Sequence, residues 1–364
     1  MNLEKVILLL GRRDEPVDGV ADYSEKLRAA GLRHGLEFEP VFLQWAQKGW
    51  GSDLAELREA AVGWRDRWVL LQYTTLAWSR RGFPLRAPRV LDVLRQCGAR
   101  PGVVFHDFRP AHGSGIVGWV REHCQLTVLR QLYARSNLSI FTIPVEKLTW
   151  LPPQREKAVF IPVGSNFPEF NRQNQNEDAT LPAVSTVAVF GITGGNVGTE
   201  EVGDIVYALK GVHAKGIQLR LAAIGRGSEV FEEALRNALN GSGIELSMQG
   251  LMSAEDLVQS LASAQVQLCV RGHVSSRRGS AIAGIVCGVP IVGYRGAETG
   301  FPITEAGTKL VEVHDRDGLV EALYEVLSNE KVFRDLRQRS GMAAQKYFSW
   351  DSIASQFRNA ISAR

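Results

Sequence analysis

Short, continuous apolar runs alternate with amphipathic stretches along almost the whole chain. "KVILLLG" (5–11), "WVLLQY" (68–73), "GVVFHDF" (102–108), "LSIFTI" (138–143) and "AVFIPVG" (158–164) are apolar at successive positions rather than at alternate ones. That pattern predicts strands buried on both faces, as in a parallel sheet. Residues 20–33 and 114–134 carry a helical period and read as crossover helices. The pattern lapses at "NFPEFNRQNQNEDATLPAV" (166–184), which is Asn-rich, bounded by prolines and reads as an interdomain linker. It restarts with "TVAVFG" (186–191), "QLRLAAIG" (218–225), "IELSMQG" (244–250), "VQLCV" (266–270), "VPIVGY" (289–294) and "TKLVEV" (308–313). Helical segments are predicted at about 201–215, 228–240, 254–263, 278–287 and 317–328, and a terminal one over about 331–363. Strand–helix alternation in both halves predicts an α/β protein of two doubly wound, Rossmann-like domains facing each other across a cleft.

Length and composition agree with that plan. A chain of 364 residues exceeds one ordinary core, and 45% apolar with 22% charged residues describes a soluble globular protein. The net charge of +3 is too small to argue for nucleic acid, so no nucleic-acid partner is expected. Residues 1–170 hold 23 Lys/Arg against 18 Asp/Glu, an asymmetry that permits peripheral contact with a membrane surface without requiring it. Cys97, Cys124, Cys269 and Cys287 show no CxxC pair and no zinc spacing, so they read as reduced thiols of a cytoplasmic protein. The first apolar run, "VILLL", is a strand rather than a signal peptide, and no stretch approaches the ~20 apolar residues of a membrane span. The expected location is the cytoplasm or the inner face of a membrane. Monomer and homodimer are equally compatible with the sequence.

Candidate chemistry lies in loops after strands, where open α/β sheets bind ligands. In "GRRDEPVDGVADYSEKL" (11–27), Gly19 allows close approach of a ligand and Asp22 caps or lies near the helix start. In "FHDF" (105–108), His106 and Asp107 end a strand; the histidine suits proton transfer or a sugar hydroxyl, and equally a structural bond to backbone. In "SSRRGSAIAGIVCGVPIVGY" (275–294), Arg277 and Arg278, beside Ser275, Ser276 and Ser280, crowd the start of a helix with no acidic residue in the segment. Cations there are unfavourable by roughly 0.3–1 kcal/mol each, and a bound phosphate would reverse the sign. Thr193 and Gly194 in "GITGGNVG" (191–198) and Gly225, Arg226 and Gly227 in "IGRGSE" (224–229) sit in Gly-rich turns suited to backbone contact with a nucleotide. "DRD" (315–317) reads as a helix N-cap rather than a metal motif. Trp64 and Trp68, spaced i,i+4 among Arg58, Arg65 and Arg67, read as one core-packed helix face, with membrane or acceptor contact as the other reading.

The series as a whole resembles the family-four retaining glycosyltransferases of the GT-B fold. "VDGVADYSEKL" is similar to the family's glycine loop, "VVFHDF" to its His-bearing strand end, and "VFIPVGSNF" to the strand before the linker, with Val163 replacing the usual Asn. "LAAIGRGSE", "MQGLMSAEDLVQSLASAQVQLCV" and "GIVCGVPIVG" resemble the donor-domain series, and "FSWDSIASQF" the returning C-terminal helix. The resemblance implies an acceptor-side domain over 1–165 onto which a helix of about 348–364 packs back, and a donor domain over 185–347. It implies a sugar moved from a nucleotide-sugar donor to a glycan, lipid-linked or small-molecule acceptor, as in polysaccharide biosynthesis. Configuration is retained, and neither a metal nor a cofactor beyond the donor is needed. His106, Asp107 and Asp22 become the candidate catalytic residues. Gly19, Thr193, Gly194, Gly225, Arg226, Gly227, Ser275, Ser276, Arg277, Arg278 and Ser280 become the donor-binding candidates. The family's paired glutamates are replaced here by Ser275 and Ala283, and its Arg and Lys after the first donor-domain strand are missing. Relocation of the diphosphate contacts to Arg277 and Arg278 is the expectation that follows. A non-catalytic GT-B subunit and a sugar-nucleotide epimerase are the alternatives.

Overall fold

The computed structural model describes residues 3–13, 18–111, 113–165, 167 and 180–364. They form two compact units, Met1–Val163 with Trp350–Arg364, and Gly164–Ser349. Most of the predicted linker (166 and 168–179) and residues 14–17 of the first loop lie outside the described residues.

The first unit is built on a six-stranded parallel sheet. Its strands are β1 (Glu4–Leu10), β2 (Leu36–Phe42), β3 (Trp68–Tyr73), β4 (Arg100–Phe105), β5 (Leu138–Phe141) and β6 (Ala158–Phe160), in the order β2-β1-β3-β4-β5-β6. β3 and β5 are buried along their whole length, and β1 from Val6 onward, as continuous apolar runs require. One face is covered by α1 (Gly19–Gly31) and α12 (Trp350–Ser362), whose Tyr23, Leu27, Ile353 and Phe357 meet Val6, Leu8 and Phe38. The other face carries α3 (Trp50–Val62), α4 (Ala87–Gln96) and α5 (Gly115–Arg135) through Leu57, Leu91, Leu94, Val128 and Leu132; the single turn α2 (Trp45–Lys48) precedes α3.

The second unit repeats the plan with β7 (Val184–Phe190), β8 (Gln218–Ile224), β9 (Glu245–Gly250), β10 (Val266–His273), β11 (Ile291–Arg295) and β12 (Thr308–Glu312). Their order, β12-β11-β10-β7-β8-β9, is that of a doubly wound dinucleotide-type sheet. α6 (Gly195–Ala214), α7 (Glu232–Leu239), α10 (Arg316–Ser328) and α11 (Glu330–Ala343) pack on one face, and α8 (Ala254–Ser263) and α9 (Gly279–Val286) on the other.

Three expectations are corrected. β2, α3 and α4 are absent from the sequence reading. Trp64 and Trp68 do not share a helix: α3 ends at Val62, Asp66 takes a left-handed turn (φ 62°), and Trp68 opens β3. The terminal helical segment is broken at Ser349, whose extended backbone (ψ 143°) separates a π-helical turn over 344–348 from α12. Asp315, the first residue of "DRD", caps α10 by accepting from the Gly318 N–H at 2.8 Å.

Candidate functional site

In the second unit the winding reverses between β7 and β10, so the loops leaving their carboxyl ends diverge and open a crevice at the sheet edge. Two Gly-rich turns are fastened together there. Gly225 (φ 80°) donates its N–H to Gly250 O at 2.6 Å, and Ile192 N donates to Arg226 O at 3.1 Å. A Cβ on Gly227 (φ 88°) would lie 2.0 Å from Ile192 O, so the glycine is demanded by the neighbouring turn itself. Thr193, expected as a ligand contact, is held by Glu201: its N–H and Oγ1 donate to the two carboxylate oxygens, each at 2.7 Å. Gly194 caps α6 without a side-chain bond, and a Cβ there would meet nothing, so the N-terminus of α6 is open. The Arg226 side chain is exposed and has no ion-pair partner among the described residues.

Three arginines stand at the end of β10 and the start of α9. Arg277 donates Nε to Glu298 Oε2 at 2.9 Å, and His273 Nε2 lies 3.6 Å from the same oxygen. The Glu298 side chain is 9% exposed; burial pushes its carboxyl up, but the His273 and Arg277 contacts outweigh it and hold it at about 2. Arg278 is the N-cap residue of α9 and half-buried; burial first, then the like charges of Arg271 and Arg277, pull its pKa below the ordinary arginine value. Arg271 reaches the β7 turn, its Nη1 lying 3.3 Å from where a Cβ of Gly191 would stand. Among the described residues neither Arg271 nor Arg278 forms an ion pair, and Glu298, already held by Arg277, exerts only the weakest pull on Arg278. Two unneutralised guanidiniums at a helix N-terminus make an arrangement that a bound anion stabilises. Ser280 lines the small recess between them, about 10 Å³ or roughly one water's room, while Ser275 and Ser276 are buried beneath the loop. The recess is too small to hold a nucleotide.

In the first unit the winding reverses between β1 and β3. Asp18 caps α1, its Oδ1 accepting from Val20 N at 2.9 Å and Ala21 N at 3.0 Å. The cap is therefore Asp18, because the helix starts one turn before Asp22, which is exposed and has no described contact with His106. Gly19 is the first helical residue and a Cβ on it would meet nothing within 4 Å. His106 Nε2 lies 2.9 Å from Gln72 Oε1, and the Tyr23 ring stands edge-on to the imidazole at 4.9 Å. With Gln72 Oε1 accepting, Nε2 carries the proton and Nδ1 the lone pair. Burial lowers the His106 pKa to about 4, against the smaller opposing pull of Asp18, so the ring is neutral at neutral pH. Asp107 Oδ2 accepts from Thr75 N at 2.8 Å and so closes the loop after β3.

Gln72, Tyr23, Arg271 and Glu298 were not singled out from the sequence. Arg271 was within reach: β10 runs three residues beyond its last apolar residue, and a charged residue at such a strand end faces the ligand edge. Glu298 lies in a loop without periodicity, and no sequence signal marks it. Among the described residues no three His, Cys, Asp or Glu side chains are grouped to hold a metal ion.

No protein-family model and no curated protein matches the chain. Solved structures do. A glycosyltransferase from Rickettsia africae superposes with a TM-score of 0.67 at 10% identity, covering 100% of both chains. HepE of Anabaena in complex with UDP gives 0.66 at 12% identity, again over 100% of both. A UDP-N-acetylglucosamine 2-epimerase from Listeria monocytogenes, so assigned provisionally, gives 0.62 at 13%, covering 99% of this chain and 96% of the other. With two parallel six-stranded sheets, each flanked by helices, the chain has the GT-B fold.

Proposed function

We propose that the chain is a glycosyltransferase moving a sugar from a nucleotide-diphosphate sugar to a glycan, lipid-linked or small-molecule acceptor. The observation that carries this reading is the Arg271–Arg278 pair at the N-terminus of α9, unneutralised and at the winding reversal of the second unit. A diphosphate supplies the missing charge, and its departure as a leaving group is the step such a site assists. Arg278 and Arg271 grip the diphosphate, Arg277 braces the loop through Glu298, and the Gly225–Ser228 turn with Arg226 flanks the nucleoside. In the first unit His106, neutral and presenting Nδ1, accepts a hydrogen bond from a sugar hydroxyl, while Asp18 already occupies the N-terminus of α1. Retention and metal independence follow the family resemblance, in which the donor's own phosphate oxygen takes the acceptor proton. HepE was solved with UDP, which favours uridine in the donor.

One observation favours a second reading, a non-catalytic binding subunit: Ser275 and Ala283, standing where the family carries glutamates, are short side chains only 2% and 1% exposed. Calorimetry with UDP-, GDP- and TDP-sugars followed by a donor-hydrolysis assay separates the readings. Binding with slow hydrolysis supports the transferase. Binding without turnover in the presence of any acceptor supports the subunit, and 2-epimer product would replace both by an epimerase.

A further inference from the structure

The outward face at the start of α5 is apolar where a surface helix should be polar. The helix buries Gly118, Gln125, Val128, Leu129 and Leu132 against the sheet. Opposite that face, at i, i+3, i+4 and i+7, stand Ile116, Trp119, Val120 and His123. Ile116 is 83% exposed, Val117 63%, Trp119 60% and Val120 44%. Farther along, the same face turns polar with Thr127 and Arg130. Trp119 is held in place: its ring packs on His123 at a centroid distance of 4.0 Å, and His123 Nδ1 donates to its carbonyl at 2.8 Å.

The rim of this patch is basic. Gln125 Nε2 donates to Gly82 O at 2.8 Å, and the Arg121 guanidinium sits 5.6 Å over the Phe83 ring, which fixes the preceding loop beside α5. That loop exposes Arg80, Arg81, Leu85 and Arg86, and α4 adds Arg89. Residues 80–123 hold eight arginines, no lysine and three acidic residues. Asp92 pairs with Arg135 at 3.2 Å, and Asp107 accepts from the Thr75 amide.

We infer that this face docks on an anionic lipid surface. Exposed tryptophan and aliphatic residues ringed by arginine suit an interface of acyl chains below and negative headgroups above. A symmetric contact with a second copy would instead press two arginine rims together. The inference stands apart from the donor site, which lies in the other unit.

Sedimentation of the full chain with phosphatidylcholine vesicles, with and without phosphatidylglycerol, tests it. Binding should require the anionic lipid and fall with salt. Ile116→Ser with Trp119→Ser should lower partitioning at least about ten-fold. Arg81→Gln with Arg86→Gln should lower it by about 30-fold, at about five-fold per arginine. All four side chains are exposed, so melting temperature and UDP binding should be unchanged. Absent binding, equal binding to both vesicle types, or binding indifferent to both variants overturns the inference. So does a dimer, seen by light scattering, that the serine variant dissolves while vesicles are ignored.

Discussion

Arg277 and Arg278 are neighbours in sequence, yet their removal should have opposite consequences. Arg278 has two like-charged neighbours whose repulsion outweighs the weaker pull of Glu298, so alanine there relieves repulsion in the free protein and removes a phosphate contact from the complex. A charge-assisted hydrogen bond is worth about 1.5–3 kcal/mol, so the nucleotide-diphosphate Kd should rise about 10- to 150-fold while the melting temperature holds or increases. Arg277 instead neutralises Glu298, whose carboxyl is held at about 2 against an ordinary 4.5. That difference corresponds to about 3 kcal/mol, shared between Arg277 and His273, so Arg277→Ala should cost about 1–2 kcal/mol of stability. Because the folded value lies below the unfolded one, this contribution is complete above pH 4.5 and is lost as pH falls toward 2. The gap between wild type and variant should therefore close in acid. Calorimetry with UDP, GDP and TDP, together with melts at neutral and acid pH, reads both effects. An Arg278→Ala protein that binds UDP within about two-fold of wild type, or that melts lower, would refute the assignment.

Other expectations are as direct. His106→Asn should lower turnover about 100-fold with nucleotide affinity intact. His106 has a folded pKa of about 4 against 6.5, so the stability it confers is complete above 6.5 and lost as pH falls toward 4; pH-dependent melts of the Asn variant should lack that loss. Gly227→Ala, with its Cβ 2.0 Å from a carbonyl, should unfold the turn and lower both melting temperature and UDP binding. Gly19→Ala should leave the melt unchanged, since its Cβ meets nothing, and reduce turnover only where a ligand comes close. Phe357→Ala, fully buried 5.9 Å from Phe38, should cost about 3–5 kcal/mol in a denaturant titration.

What the sequence disclosed follows from burial. β1 from Val6 and β4 from Pro101 match their apolar runs because both faces are covered and only apolar side chains fit there. β2 escaped notice because it is the edge strand: Glu37, Glu39 and Pro40 are tolerated where one side has no hydrogen-bonding neighbour. Arg277 and Arg278 were visible as a local conflict between cations and a helix start. Their division of labour was not, because Glu298 lies 21 residues away and only the fold brings it to Arg277. Asp22 does lie in the first turn of α1, as expected, but which acid caps the helix is settled only by the hydrogen bonds that identify Asp18.

Helix α12 belongs to the first unit although 186 residues of the second precede it. Its Trp350, Ile353 and Phe357 cover the same sheet face as α1, with Glu4 and Arg33 tied to it through Arg358 and Asp351. During synthesis, then, the lobe begun first must wait with one side of its sheet covered by α1 alone until the ribosome has delivered residues 350–362, by which time the lobe made later can already be folded. A fragment cut at residue 163 would carry that same half-covered face, and it should be sticky rather than an independent domain.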